Sequence, residues 1–339
     1  MSGGEAHRAD DHAQAERELS MARPAVRGTQ ECDLRPARPD ELVACARIWR
    51  ASINDYLERL GQPEIPDDLT AVTALYEHLQ RTDPERFVVA TRPDDDAPGG
   101  ERIVAFVSAV VRPPVWYLAM LFVMPEEQGI GLGRTLLERV LPAPEDDLVR
   151  STSTDSLQPI SNALYARYKI VPRVPLLRLV GTPTRPAALP PLPEGMTAAP
   201  IQGTQSDNGT GAIVAALDRE TLGYAHPQEH RSLVEDGRRA YLYRASDDTA
   251  VGYGYTSDLG RIGPVAVRDE SLLTPIVGHL IGLSRPRGAY ALWVPGTAGA
   301  TVTALLEAGL RLEGFPVLLC WDRPFVDLAR YLPISPGLL

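Results

Sequence analysis

The sequence predicts an α/β protein in which one strand-and-helix unit is used twice, and three observations carry that prediction. The apolar run "WYLAMLFVM" passes through "PEEQGIGLG" directly into the helix-like "RTLLERVL". Strand-like and helix-like stretches follow one another in the same order on both sides of a proline-rich segment at 182–195. Two end segments, "ALYARYKIVPRVPLLRL" (163–179) and "ALLEAGLRLEGFPVLLCW" (304–321), resemble each other about 140 residues apart, as duplication of one unit requires.

Periodicity and punctuation justify each element. "CDLRPA" (32–37) reads as a short strand, and Pro39 and Asp40 open an apolar-periodic helix that ends before Gly61. A second helix is expected around "DDLTAVTALYEHLQRT". "RFVVATR", the turn-rich "PDDDAPGGE" and "RIVAFVSAVV" alternate as a hairpin does. The strand "WYLAMLFVM", a helix over 133–141, a strand in "DLVRSTST" (147–154), the helix "SNALYARYK" and the strand "VPLLRLVG" complete a unit spanning 32–181. Proline makes 182–195 a stiff, extended linker. From 196 to 339 the order begins again with "MTAAPIQ" and two helical stretches. The strands "RAYLYRA", "TAVGYGYTSD" and "GRIGPVAV" follow, then the helix "LLTPIVGHLIGL", the strand "AYALWV", the helix "ATVTALLEAG" and the strand "PVLLCW".

Composition narrows the function classes. A chain of 339 residues, 44% hydrophobic and 23% charged, is long enough for two globular domains. Its net charge of -10 argues against general nucleic-acid binding, which needs a basic face. Cys32, Cys45 and Cys320 are too few and too far apart for a disulfide framework or a zinc-ligand pair, which suits a cytoplasmic protein. No run of about 18 apolar residues suggests a membrane span, and residues 1–31, mixed in charge, read as a disordered tail.

Gly129, Gly131 and Gly133 alternate at the hinge between strand and helix, where a glycine that only fills helix costs roughly 1 kcal/mol. A strand ending in such a turn presents a row of backbone N–H groups and the positive end of a helix dipole, which together favour an anion such as pyrophosphate. Side chains at the three glycines would obstruct it, and Arg134 can add a charge-assisted contact. The dinucleotide fingerprint fits poorly, because Arg134 stands where its last glycine belongs. No Gly-Lys-Ser/Thr marks a nucleoside-triphosphate loop.

"LFVMPEEQGIGLGRTLL" resembles the acyl-CoA signature of the GNAT superfamily of N-acetyltransferases, whose pattern is Gln or Arg, two intervening residues, Gly, one intervening residue, and Gly or Ala. Gln128, Gly131 and Gly133 hold those positions. Val123 and Pro125 match the end of the family's fourth strand, and Tyr165 falls where its next helix keeps a Tyr. Gln158, Lys169 and Ile170 depart from that helix's Asn, Gly and Phe. The resemblance covers 32–181 well and 194–325 as a diverged copy, and implies two tandem domains, each a mixed, mainly antiparallel sheet flanked by helices. In the second copy Pro275, which lacks an N–H, stands where phosphate-binding amides are wanted, and Leu305 stands in the place of Tyr165.

The resemblance further implies acetyl-CoA or another acyl-CoA as co-substrate, with no metal. It would be held by backbone at Leu121, Phe122 and Val123 and by Gln128, Gly129, Ile130, Gly131, Leu132, Gly133 and Arg134. The acyl group would pass directly to a small-molecule amine, with Tyr165 protonating the leaving thiolate. "YLAMLFV" offers no carboxylate base; the Leu339 carboxylate is a candidate, since related tandem enzymes bring a chain terminus to the active site. Trp116 and Asp155 are candidates for the acceptor pocket, Trp116 being equally a core residue and Asp155 a helix cap. Tyr168 is the rival to Tyr165 and reads as core. His226 and His230 are separated by Pro227 and lack an evident third ligand, so a solvated or capping role is expected for them. A non-catalytic acyl-CoA sensor and an aminoacyl-tRNA-using transferase are the alternative functions, and a monomer or homodimer is expected.

Overall fold

The computed structural model describes residues 32–97, 99–201 and 209–339, so the tail expected at 1–31 lies outside the described residues. The first half carries β1 (Asp33–Pro36), α1 (Leu42–Arg59), α2 (Thr70–Thr82), β2 (Phe87–Pro93), β3 (Glu101–Arg112), β4 (Val115–Val123), α3 (Leu132–Val140), β5 (Val149–Asp155), α4 (Pro159–Ala166) and β6 (Val171–Gly181). The second half repeats that order with β7 (Thr197–Pro200), α5 (Thr210–Thr221), α6 (Pro227–Glu235), β8 (Arg239–Arg244), β9 (Ala250–Thr256), β10 (Ile262–Val267), α7 (Leu273–Gly282), β11 (Tyr290–Pro295) and α8 (Gly299–Ala308). The strands β12 (Arg311–Leu312), β13 (Val317–Trp321) and β14 (Tyr331–Leu332) follow. Among the described residues no helix is long and apolar enough to cross a membrane.

The fold is mixed α/β with mainly antiparallel sheets, as the sequence predicts, but the strands are not divided one sheet to each half. A nine-stranded sheet runs β1-β2-β3-β4-β5-β13-β6-β11, with β12 also on β6, and a five-stranded sheet runs β14-β10-β9-β8-β7. Strand β13, from the end of the chain, lies between β5 and β6 and pairs with both. In exchange β6 leaves its own unit and pairs with β11 of the second. The two halves therefore trade their last strands, and a division at 182–195 separates two repeats of the sequence without separating two sheets. That segment is also docked: the amides of Thr184 and Arg185 both donate to the Ala308 carbonyl, at 2.9 and 3.0 Å. Leu189 packs so close to Gly278 that a Cβ added there would meet it at 3.1 Å.

Apolar packing crosses the same boundary. One core cluster joins Tyr76, Phe87, Phe106 and Tyr117 of the first half to Val214, Leu217, Leu233 and Tyr253 of the second. A separate cluster fills the opposite face of the large sheet beneath α3 and α4, with Trp116, Leu118, Leu136 and Tyr165. At the seam between the halves Arg112, 6% exposed, donates to Asp83 at 2.8 Å and to Glu229 at 2.5 Å. His78 Nε2 lies 3.4 Å from the same Glu229 oxygen. Burial works against the charge on Glu229, yet His78 and Arg112 outweigh it and hold the carboxyl down at about 2.

Two outcomes follow from the exchange and the seam. Residues 32–181 expressed alone lack β13 and β11, so the fragment is expected to be insoluble or molten; co-expression with 182–339 should restore a soluble complex, read by size exclusion and circular dichroism. Arg112→Ala leaves Asp83 and Glu229 buried without their cation and should destabilise the protein by about 3–5 kcal/mol in urea unfolding. Breaking the exposed Arg59–Asp55 pair should cost at most about 1 kcal/mol. The contribution of Glu229 is present above the ordinary carboxyl range and is lost as pH falls from about 4 towards 2.

Candidate active site

The site is built where two parallel strands part. Strands β4 and β5 pair from Val115↔Val149 to Leu118↔Thr152 and no further. A bulge places Ala119 outside the register with β3, and β4 then continues against β3 alone, through Leu121, Phe122 and Val123. Burial tracks the change, with the first four residues of β4 buried and its last five half-buried. Thr152 Oγ1 donates to the Leu118 carbonyl at 2.9 Å and closes off the last paired position. From Ala119 onward the β5-facing edge of β4 therefore has no strand beside it. Helix α1 spans the opening: Ser52 Oγ donates to Val123 O at 2.9 Å, and Tyr56 OH donates to Asp155 Oδ1 at 3.0 Å.

The loop that follows β4 is anchored on one side and open on the other. Its 3-10 turn, Pro125–Glu127, is held by buried Glu127, which accepts from Arg92 at 2.9 Å and from Arg102 at 2.8 Å. Gln128 Nε2 donates back to Val123 O at 3.0 Å. Gly129 and Gly131 then adopt φ of 83° and 92°, the left-handed region that side chains disfavour, and a Cβ at either would meet nothing within 4 Å. Their glycines answer to backbone dihedral and leave clear space above the loop. Gly133 differs from the sequence-based expectation, because it is helical and its Cβ would make an ordinary 3.7 Å contact with Val123.

Gly131 caps α3 without any side-chain hydrogen bond, and the amides of Leu132, Gly133 and Arg134 donate to no backbone acceptor among the described residues. Three free N–H groups at a helix N-terminus, under an open loop, form an anion site. Ile130 is exposed beside them and Leu132 is buried, so Leu132 can offer a ligand its amide alone. Arg134 is turned away from the expected phosphate contact: its Nε donates to Glu138 at 3.0 Å. Tyr168, expected in the core, donates its hydroxyl to the same Glu138 oxygen at 2.6 Å and is half-buried.

Tyr165 packs beneath the point of divergence. It is 6% exposed and belongs to the cluster that holds Leu118 and Cys320, and Cys320 lies opposite Thr152 in the sheet. Burial first, then Cys320, pushes its phenol well above the ordinary tyrosine range, so it stays protonated. Burial also raises all three cysteines, Cys45 and Cys320 to about 12, so none is poised as a thiolate nucleophile. Asp155 sits half-buried at the open end of β5, where Oδ1 accepts from both Tyr56 and the Leu157 amide, at 3.0 and 2.8 Å. It is a local cap and a mouth residue at once.

Trp116 requires correction. It is fully buried on the α3 side, with Nε1 donating to Val140 O at 2.9 Å, and so cannot line an acceptor pocket. Its neighbour Tyr117 faces the other way, towards α1 and α2. Tyr117 OH and Ser153 Oγ both donate to the Pro336 carbonyl at 2.5 Å, and Gly337 packs against Met120 and Leu75. Residues 335–339 thus cover that face of the splay, and Leu338 and Leu339 are buried beside Arg112, Tyr117 and Glu229. Sequence reasoning did not find Ser52, Tyr56 or Ser153.

The second half lacks this arrangement. Strands β10 and β11 meet at a single parallel bridge, Arg261↔Ala291. The edge of β10 left free there is taken by β14, with Val265↔Leu332 and Ala266↔Tyr331 paired and the Val267 amide donating to Arg330 O at 3.0 Å. Where an anion loop would be needed, the Asp269 side chain already accepts from the Ser271 amide at 2.9 Å, and Pro275 falls in the first turn of α7.

Residues 42–168 match the model of the acetyltransferase (GNAT) family. The chain is similar to a candidate acetyltransferase from Pyrococcus horikoshii, at 15% identity and a TM-score of 0.69 over 94% of this chain and 99% of that one. It is also similar to a GCN5-related N-acetyltransferase from Sphaerobacter thermophilus, at 20% identity and 0.58, covering 88% and 98%. A tandem GNAT protein from the clavulanic acid biosynthesis pathway gives 17% identity and 0.50, covering 87% and 99%. Among curated proteins none matches the sequence at a significant level.

The loop geometry separates its glycines. Gly131→Val forces a β-branched residue into the left-handed region and should displace the start of α3, weakening CoA binding at least tenfold in calorimetry while circular dichroism is unchanged. Gly133→Ala, which meets ordinary van der Waals contact, should bind CoA nearly as the parent does. Equal losses in the two variants would refute this reading of the loop.

Proposed function

We propose, from the match of residues 42–168 to the acetyltransferase (GNAT) family, that this protein transfers an acyl group, acetyl first among them, from acyl-CoA to the amine of a small molecule. The observation that carries the reading is the unpaired edge of β4 leading straight into the uncapped N-terminus of α3. An extended amide-bearing arm can hydrogen-bond along the first, and a pyrophosphate can sit on the second. The residues present fit such a ligand. Acyl-CoA supplies an activated thioester; everything else is binding, orientation and proton handling by the chain.

Of the segment Leu121, Phe122 and Val123, the open edge offers the Leu121 backbone and the Val123 amide to the pantetheine arm, Phe122 pairing with β3 and Val123 O being held by Ser52 and Gln128; Gln128 to Arg134 offer the loop and helix amides, the Arg134 side chain remaining with Glu138. One such site is expected per chain, because the second half has spent its equivalent edge on β14. The amine approaches from the α1 side, past the Tyr56–Asp155 pair, towards the level where β4 and β5 part, on the face that residues 335–339 cover through Tyr117 and Ser153. With every thiol protonated, direct attack on the thioester is favoured over an acyl-enzyme. The acceptor must arrive neutral, and a carboxylate such as Asp155 at the mouth can receive its ammonium before that proton is lost to solvent.

Tyr165 is the residue assigned to protonate the leaving thiolate. A phenol kept neutral by burial, at the level where β4 and β5 part, can donate to charge developing on sulfur and recover its proton from the nitrogen that attack has left positively charged, a contribution of about 10²–10⁴ in rate. Tyr165→Phe should leave CoA affinity nearly unchanged and lower turnover at least tenfold; Tyr168→Phe, which removes a partner of Glu138, should do neither. The first experiment is thiol release from acetyl-CoA against a panel of small amines, amino acids, aminoglycosides and peptides. CoA binding with no turnover on any of them would favour the sensor function instead.

A further inference from the structure

Asp218, His226 and His230 form a donor set that acyl transfer does not use. All three are at most 1% exposed. Helix α5 supplies Asp218, and the first turn of α6 supplies both histidines, with Pro227 as its first helical residue. Proline there starts the helix and breaks nothing, so residues 226 and 230 fall one above the other on a single face. This overturns the expectation of solvated histidines without a third ligand.

The three donor groups converge in the interior, with His230 and Asp218 at hydrogen-bonding distance, close enough for small side-chain shifts to bring them onto one ion. His226 Nε2 lies 3.4 Å from Asp218 Oδ1, His230 Nε2 lies 2.9 Å from Asp218 Oδ2, and the three donor atoms are within 4.8 Å of one another. Ligands bound at about 2.0–2.2 Å to one tetrahedral ion stand roughly 3.3–3.5 Å apart. The outer atoms are already held, as they are around bound metals. Tyr255 OH is 2.9 Å from His230 Nδ1, and Tyr253 OH donates to Asp218 Oδ1 at 2.5 Å. Apart from the 3.4 Å approach of Nε2 to Asp218, neither ring nitrogen of fully buried His226 has a hydrogen-bond partner. A bridging cation would satisfy that nitrogen and the carboxylate together.

We propose that Asp218, His226 and His230 bind one first-row divalent metal ion, zinc before others, as a structural site. Two imidazoles and a carboxylate suit zinc and fill three of its four tetrahedral positions, the fourth being left to a water, and burial of all three makes the role one of bracing the fold. The ion would tie α5 to the first turn of α6. That turn also carries Glu229, which reaches Arg112 and His78 in the first half, so the metal would brace the seam between the halves.

The test uses the full chain, purified without a histidine tag or chelator. Elemental analysis should find about one zinc per chain, and removal by a strong chelator should lower Tm, with added Zn²⁺ restoring it. Cobalt exchanged into the site should give the visible absorption of a nitrogen- and oxygen-ligated ion. Asp218→Asn and His226→Gln should each weaken metal binding at least tenfold, while His279→Gln, outside the set, should retain it. Should the first two variants fail to fold, zinc content and the cobalt spectrum of the parent chain decide the matter. A parent chain with no stoichiometric metal, and no saturable binding or Tm shift with Zn²⁺, Co²⁺ or Mn²⁺, overturns the proposal and leaves an ion-paired hydrogen-bond cluster.

Discussion

A strand edge carries a hydrogen-bonding group at every residue, and each group that is taken from water needs a partner. That requirement governs both halves of this protein, because in each a pair of parallel strands meets briefly and then diverges. In the first half the pairing of β4 with β5 ends at Leu118 and Thr152, and the edge beyond is left to a ligand. In the second the same edge, on β10, is met by β14 from the same chain. One geometric event thus has two outcomes: an open slot with an uncapped helix at its end, and a sealed slot followed by a 3-10 turn, Glu270–Leu272, that Asp269 caps before α7 begins.

The sealed half still shapes the open one. Its closing segment, 335–339, lies on the α1 and α2 face of the splay, where Tyr117 and Ser153 hold Pro336. Its α6 delivers Glu229 to Arg112, a buried ion pair whose worth lies in its mutual satisfaction, since either group alone would be an unpaired charge in the interior. The second half therefore supplies both cover and charge to the first, at Pro336 and at Glu229.

Local backbone chemistry was legible in the sequence and partner choice was not. The glycine turn between strand and helix was legible, because turn preference belongs to the residue itself, whereas the positive φ of Gly129 and Gly131, and the helical Gly133, show only in the structure. Trp116 illustrates the opposite case. Alternation along β4 places Trp116 and Tyr117 on opposite faces without saying which face is covered by α3 and which by α1. The exchange of β6 and β13 is invisible for the same reason, since nothing in "VPLLRLVG" or "PVLLCW" names a neighbour. Asp218 gave no signal because it sits inside an ordinary amphipathic helix. Pro227 misled, because a proline between two histidines reads as a break and serves here as a helix start.

The placement of β13 also has a meaning in time. A ribosome delivers the chain from its first residue, and β5 is complete at Asp155 while its neighbour in the sheet is not finished until Trp321. At about 5–20 residues per second the interval is roughly 8–30 s, far longer than strand pairing takes. Throughout it β5 presents a bare edge, and β6 has been made with no lawful neighbour. The nascent first half must be shielded from pairing with other chains during that interval, or be held loose, so synthesis of this protein calls for a chaperone more than its finished shape suggests.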